Sequence, residues 1–312
     1  MAQKQLHKKT IPVTHAAGVK KVPPVVSKIP PKKKIGTGFN EKRANRFYIA
    51  FFFVLAFALY GNTCLNKWAV DDEFVTGPDN QLVHQGFKAI PKIFTTPYVN
   101  ATGNIGSQSA DYRPIVKLTF AIEYGLWGEK PGVSHGISVL IYFFISILLF
   151  FILKGLLKNY NVLFPFLITV IFIAHPIHTE VVASLKNRDE MLAFLCGLGA
   201  LHYFLKFADT NHWKYFIYAL VVFFIGYLSK SSILPFLAIY PLTLYFFKDM
   251  ELKKFFWIVG GLIVVLFLAY FGPRLLFLHN VGRVNSYIEN PLYFEKNFWI
   301  RTATAMMSLL FY

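Results

Sequence analysis

Long apolar blocks recur along this chain: FYIAFFFVLAFALY, ISVLIYFFISILLFFIL, FPFLITVIFIA and FWIVGGLIVVLFLAYFG. A bilayer core of about 30 Å takes roughly 20 apolar residues as helix, so each block reads as a membrane span. Only 15% of the residues are charged while 55% are hydrophobic and 18% aromatic. An ordinary soluble domain carries about 25% charge. The expected fold class is therefore all-α, a polytopic transmembrane helix bundle.

The net charge of +16 is concentrated near the N-terminus, in MAQKQLHKKT, VKK, PPKKK and EKRANR. Residues 1–46 are rich in Pro, Lys and polar side chains and lack hydrophobic periodicity, so a disordered basic cytoplasmic tail is expected there. Anionic lipid explains such a tail better than nucleic acid does. It is too long and too basic for a signal peptide, and no small-residue cleavage site follows the apolar run. The two cysteines, Cys64 and Cys196, exclude a cysteine metal cluster, and their spacing supports no disulfide.

Residues 47–312 are then the transmembrane domain, threaded by the clustering of Lys and Arg beside the spans. Span 1 covers about Phe47–Asn66, with the N-terminus inside. An extracytoplasmic loop, residues 67–133, leads to a second span ending near Lys154. Later spans run from about Val162, Met191, Trp213, Ser232 and Phe255, so at least seven are expected, with a further apolar run at the end of the chain. Each short loop on the cytoplasmic side, such as KGLLKNYN and KDMELKK, contains lysine. The opposite face also carries Arg113, Lys117, Lys186, Arg188, Lys230 and Arg274, which raises the question of which anion they meet.

In the first loop, Asp71, Asp72 and Glu73 follow span 1 directly. Adjacent residues on a helix do not face one another, so one points into a cavity while another turns to solvent or a cation. Val83, Phe87 and Ile90 have the spacing of one face of a short interfacial helix. Arg113 and Lys117 stand one turn apart on a second amphipathic stretch. Between spans 3 and 4 comes AHPIHTEVVASLKNRDE. His175 and His178 are spaced i, i+3 and would share a ligand; with Glu180 they would form the metal site, if there is one. The spacing of a third ligand is not diagnostic, so a hydrogen-bonded wall including Asp189 is the preferred expectation, with no metal. The planar fork of Arg188 suits bidentate phosphate oxygens.

Tyr112-Arg113-Pro114, His175-Pro176-Ile177-His178-Thr179-Glu180, Arg188-Asp189 and Ser229-Lys230, after the Asp71-Asp72 pair, occur in the order seen in TMTC-type protein O-mannosyltransferases. From span 1 onward the chain resembles that family, in a bacterial-like form, and through it the GT-C superfamily of polytopic glycosyltransferases. It departs from the family at Lys186-Asn187-Arg188-Asp189, where a Gly-Arg-Ala-Asp type motif is usual, and at Ser231, where an acid is usual. The family also has more spans and often TPR repeats, of which no period of about 34 residues is visible here.

The resemblance implies transfer of a mannose-like sugar from a polyprenyl-phosphate donor to a protein Ser/Thr hydroxyl on the extracytoplasmic face. A bacterial chain would do so in the inner or plasma membrane. Asp72, or else Asp71, would be the base, with Arg188, Lys230, Arg113 and Arg274 at the donor phosphate. His175, His178, Glu180 and Asp189 would form the wall. No cofactor is required. The implied partners are the lipid-linked sugar, an acceptor protein, membrane lipids and other members of a membrane complex. The alternatives are a non-catalytic membrane scaffold subunit on the same fold and, behind it, a lipid or solute transporter.

Overall fold

A computed structural model describes residues 41–69, 71–77, 80–98, 111–248, 252–276, 292 and 295–310. The basic tail up to residue 40, most of the Gly/Ser/Asn loop at 99–110 and the stretch after residue 276 lie outside the described residues. Among the described residues there are helices and no strands, and they form an all-α polytopic bundle. In chain order the helices are α1 (Glu41–Tyr60), α2 (Asp72–Val75), α3 (Ile90–Ile93), α4 (Pro114–Trp127), α5 (Pro131–Leu156) and α6 (Leu163–Ala174). They continue as α7 (His178–Ala183), α8 (Arg188–Thr210), α9 (Trp213–Ser229), α10 (Phe236–Phe247), α11 (Leu252–Leu276) and α12 (Phe298–Leu310).

Among the described residues, four segments are long and apolar enough to cross a membrane: Glu41–Leu65, Pro131–Leu156, Arg188–Thr210 and Lys253–Pro273. The other apolar helices are shorter, and α6, with 12 residues, rises only about 18 Å. Side chains facing out of the bundle are greasy, as with Val54, Ile171, Tyr245 and Phe246, all exposed. That is the inverse of a soluble surface, and it fits a lipid solvent.

α8 is the central pillar, with half of its apolar window buried. It packs closely on α9 because Gly226 lets Cys196 and Ala193 approach: a Cβ added at Gly226 would meet Cys196 Cβ at 2.6 Å. Phe236 lies equally close over Gly197, seating α10 on α8. α1 already includes Glu41, ahead of the expected Phe47, and its first described turn is anchored. Lys154 Nζ donates to Glu41 Oε1 and Asn45 Oδ1, each at 2.9 Å. Lys248 pairs with Asp209 at the same end of the bundle. Cys64 and Cys196 are both free thiols.

The first loop packs over the opposite end. Val83–Ala89 is a 3-10 helix rather than the expected α-helix face. It is broken by a kink at Gly86, whose φ 58° and ψ −132° are not helical, and it buries Val83, Gly86 and Ala89 while Phe87 stays exposed. Gly86 takes φ 58° against Gly125 of α4, where a side chain would lie 3.0 Å from the Gly125 Cα. This close approach holds the 3-10 segment to α4.

Candidate functional site

The site is built where the first loop meets the start of α8. Asp72 and Asp71 divide as adjacent helical residues must. Asp72 is fully buried. Its Oδ2 accepts the Ala69 N–H at 3.0 Å, and its Oδ1 accepts the Lys186 N–H at 2.7 Å and the Ser184 hydroxyl at 3.3 Å. It thus pins the first loop to the turn between α7 and α8. Asp71 faces outward and pairs with Lys186 Nζ at 2.8 Å.

Arg188 does not reach an open phosphate site. Its side chain has no exposed surface, and every N–H of the guanidinium is used. Nε donates to Ser138 Oγ, Nη1 to Thr119 Oγ1 and Glu123 Oε1, and Nη2 to Ser134 O and Glu123 Oε2. The plane lies 4.0 Å over the Phe120 ring. Glu123 also accepts the Ser134 hydroxyl at 2.6 Å. Burial of an arginine demands this complete pairing, and the result is a lock joining α4, α5 and α8. Glu123 was missed at the sequence level, although a lone carboxylate inside FAIEYGLW was a usable signal.

The other two donor-phosphate candidates with described side chains, Arg113 and Lys230, keep some surface, with side chains 17% and 18% exposed. Both converge on Asp189, which is fully buried. Arg113 Nη1 lies 2.5 Å from Asp189 Oδ2, and Lys230 Nζ lies 3.1 Å from Asp189 Oδ1. Lys230 also pairs with Glu190 Oε1 at 2.8 Å, and Arg113 with Asp111 at 2.5 Å. Arg113 lies 4.6 Å over the Tyr98 ring. Burial is the largest influence on Arg113 and opposes its charge, but Asp189 and Asp111 outweigh it and the net shift is upward. Burial, and then the Asp189 charge, push the Tyr98 phenol up.

Lys117 leaves this group. It is buried and donates to Pro97 O at 2.8 Å and Thr96 Oγ1 at 3.2 Å. Burial pulls its ammonium down to about 8. Of Arg274 the backbone lies in α11, and its side chain lies outside the described residues.

Beside Glu190 a cleft of about 270 Å³ opens between α5, α6, α7 and α8. Tyr142, Ile145, Phe172, Met191 and Phe194 give it an apolar wall, while His178 and Glu190 supply polar groups. His178 Nδ1 sits 2.8 Å from the Phe172 carbonyl and 2.9 Å from the Tyr142 hydroxyl. A carbonyl only accepts, so Nδ1 carries the proton and Nε2 is left as the acceptor. Burial lowers the His178 pKa, which keeps the ring neutral. His175 and Glu180 are exposed and stand outside this wall, His175 accepting the Ile177 N–H. Among the described residues, no group of three or more His, Cys, Asp or Glu is placed to hold a metal.

The arrangement joins two cations to three carboxylates, and Glu190 links that cluster to a cleft that can shelter an apolar group. The chain is similar to protein O-mannosyl-transferases. It is 29% identical over 142 residues to Protein O-mannosyl-transferase TMTC1 of Homo sapiens, covering 45% of this chain and 16% of that protein. It is 28% identical over 188 residues to Protein O-mannosyl-transferase Tmtc1 of Drosophila melanogaster, covering 57% of this chain and 20% of that protein. With Protein O-mannosyl-transferase TMTC4 of Mus musculus it shares 38% identity over 114 residues, 32% of this chain and 15% of that protein. The chain thus matches far less than two thirds of the length of these relatives. No protein-family model and no solved structure matches it.

Proposed function

We propose that the chain is the membrane-embedded catalytic part of a glycosyltransferase that moves a mannose-like sugar from a polyprenyl phosphate to a protein Ser/Thr hydroxyl. The observation that carries this reading is the convergence of Arg113 and Lys230 on Asp189, with Lys230 also paired to Glu190, which lines an apolar cleft. The names of the similar proteins supply the reaction class. The lipid phosphate binds Lys230 and Arg113, and the proximal isoprenoid lies along Phe172, Met191 and Phe194. Preorganised cations of this kind stabilise the phosphate as it leaves.

In this reading the chemistry lies on the extracytoplasmic side. Lys154, Lys206, Lys214 and Lys248 gather at the other end of the bundle, as lysines do on the cytoplasmic side. Asp72, with both oxygens occupied by donors and no exposed surface, acts as a strut that fixes the first loop over the site. Arg188 serves the site indirectly, by holding α4 and therefore Arg113 in register.

One observation favours the non-catalytic scaffold instead: Asp189 and Glu190 already neutralise Lys230. Purified protein decides between them when mixed with a radiolabelled polyprenyl-phosphate mannose and a Ser/Thr peptide. The expected result is donor binding and sugar transfer, both lost in Lys230→Ala and retained in Lys158→Ala. Absence of donor binding in the wild type overturns the enzymatic reading.

A further inference from the structure

We infer that the end of the bundle opposite Asp189 carries a binding site for an anionic glycerophospholipid, built on the hairpin of α8 and α9. The inference is independent of the transfer reaction.

The site lies where α8 ends at Thr210 and α9 begins at Trp213. Trp213 and Trp257 of α11 are about half exposed and meet edge to face, with ring centroids 5.6 Å apart. Exposed tryptophans gather at the membrane–water interface, so this pair sets the hairpin turn at headgroup depth. Beside it Tyr203, Tyr215 and Tyr218 cluster across the two helices, with centroids 5.6–6.4 Å apart. Lys206 Nζ lies 5.6 Å and Lys214 Nζ 5.1 Å from the centre of the Tyr215 ring. One tyrosine thus gathers two exposed lysines from two helices and brings their like charges together.

The described carboxylates at this end are already taken, Asp209 by Lys248 and Glu41 by Lys154. Among the described residues, neither Lys206 nor Lys214 pairs with a carboxylate, and none of the three tyrosine hydroxyls has a hydrogen-bond partner. A phosphodiester supplies the missing countercharge, with acceptor oxygens for both ammonium groups and for the phenols. Basic pockets between helices at the membrane surface hold lipid headgroups in this way.

The helix face above Lys214 makes the anion a lipid. Lys214, Ile217, Val221 and Ile225 follow at steps of three and four residues along α9, and all four are exposed. A headgroup held at Lys214 therefore has an apolar track on the same face for its acyl chain. Free phosphate gains nothing from that track.

Native mass spectrometry of the detergent-purified chain counts bound lipid after titration with phosphatidylglycerol or, separately, phosphatidylcholine of the same acyl chains. One phosphatidylglycerol is expected to bind at least about tenfold more tightly than phosphatidylcholine. Lys206→Ala and Lys214→Ala should each weaken it about fivefold. Lys158→Ala, which removes an exposed lysine away from the hairpin, should not. The pair Lys206→Arg with Lys214→Arg keeps both charges and should keep the preference. Equal binding of the two lipids overturns the inference. An equal loss in Lys158→Ala also overturns it, since bulk charge attraction then accounts for the binding. Loss of binding in the arginine pair does the same, because charge is then not what holds the lipid. Displacement of the lipid by inorganic phosphate at the same concentration makes this a free-anion site and overturns the lipid assignment.

Discussion

Arg188 on α8 and Glu123 on α4 form a fully enclosed ion pair, joined across 65 residues of chain and closed by Ser138, Thr119 and the Ser134 carbonyl. It holds the first-loop helix that carries Arg113 against the bundle, so stability and site geometry share one contact.

Arg188→Met should therefore strand a buried carboxylate and cost about 3–5 kcal/mol, as broken buried pairs do. The double variant Arg188→Met with Glu123→Leu should recover much of that loss. Thermal unfolding in detergent measures both, and equal destabilisation of the single and double variants would remove the lock.

Asp189→Asn should release Arg113 and Lys230 from their common anchor. Donor-lipid affinity is expected to fall about tenfold, or 1.4 kcal/mol. Equilibrium binding of the labelled donor checks it, with Asp209→Asn at the opposite end as the control that should not change.

Lys117 links the first loop to pH. Its proton affinity is lowered in the fold, to about 8 from 10.5, by burial. The unfolded chain therefore binds the proton more tightly across that interval, and stability should rise as pH climbs from about 8 to about 10.5. Below about 8 both states are protonated and the contribution is flat. Lys117→Met should remove this component, worth up to about 3 kcal/mol. Tyr98 and Tyr112 titrate in the opposite sense at the alkaline end, their folded-state affinities being raised by burial. The difference between wild type and Lys117→Met, not the wild-type curve alone, is the quantity to read.

Gly86 and Gly128 both take positive φ, at 58° and 70°. Alanine is strained at each by about 1–3 kcal/mol. Gly86 alone would also push a Cβ to 3.0 Å from the Gly125 backbone, whereas Gly128 has open space around it. Gly86→Ala should be the more destabilising by at least about 1 kcal/mol. Equal unfolding midpoints would contradict the close packing of the 3-10 segment on α4.

Topology is tested by single cysteines at Glu129 and Asn211, both exposed and at opposite ends of the helices. In a background lacking Cys64 and Cys196, an impermeant thiol reagent on intact cells should label position 129 and spare position 211. Equal labelling would invert or dissolve the assignment of the site to the extracytoplasmic face.

Part of the site was legible in sequence because it depends on local order. Two adjacent acids after span 1 had to diverge, and Asp71 and Asp72 do. Arg113 stands just before α4 and Lys230 just after α9, and they meet on Asp189. Arg188 was read as phosphate-facing because it stands at headgroup depth on a helix start. Depth does not fix azimuth: in the folded chain it turns toward α4 and α5 and meets Glu123. The segment at Val83–Ala89 departs from a single helical face for a similar reason, since apolar spacing at Val83, Phe87 and Ile90 cannot reveal the kink at Gly86 where it sits against Gly125.

The sequence by itself determined that this is an all-α membrane bundle, because lipid demands helices of a given length and greasiness, and composition alone meets that demand. It also determined which residues carry charge at the bundle's polar ends. The tertiary structure decided which of those charges are consumed and which remain available. That choice is made by burial: a charge enclosed among helices must find partners or be destabilising, so Arg188 and Asp72 became struts. Arg113, Lys230 and Glu190, enclosed less completely, kept part of their surface exposed.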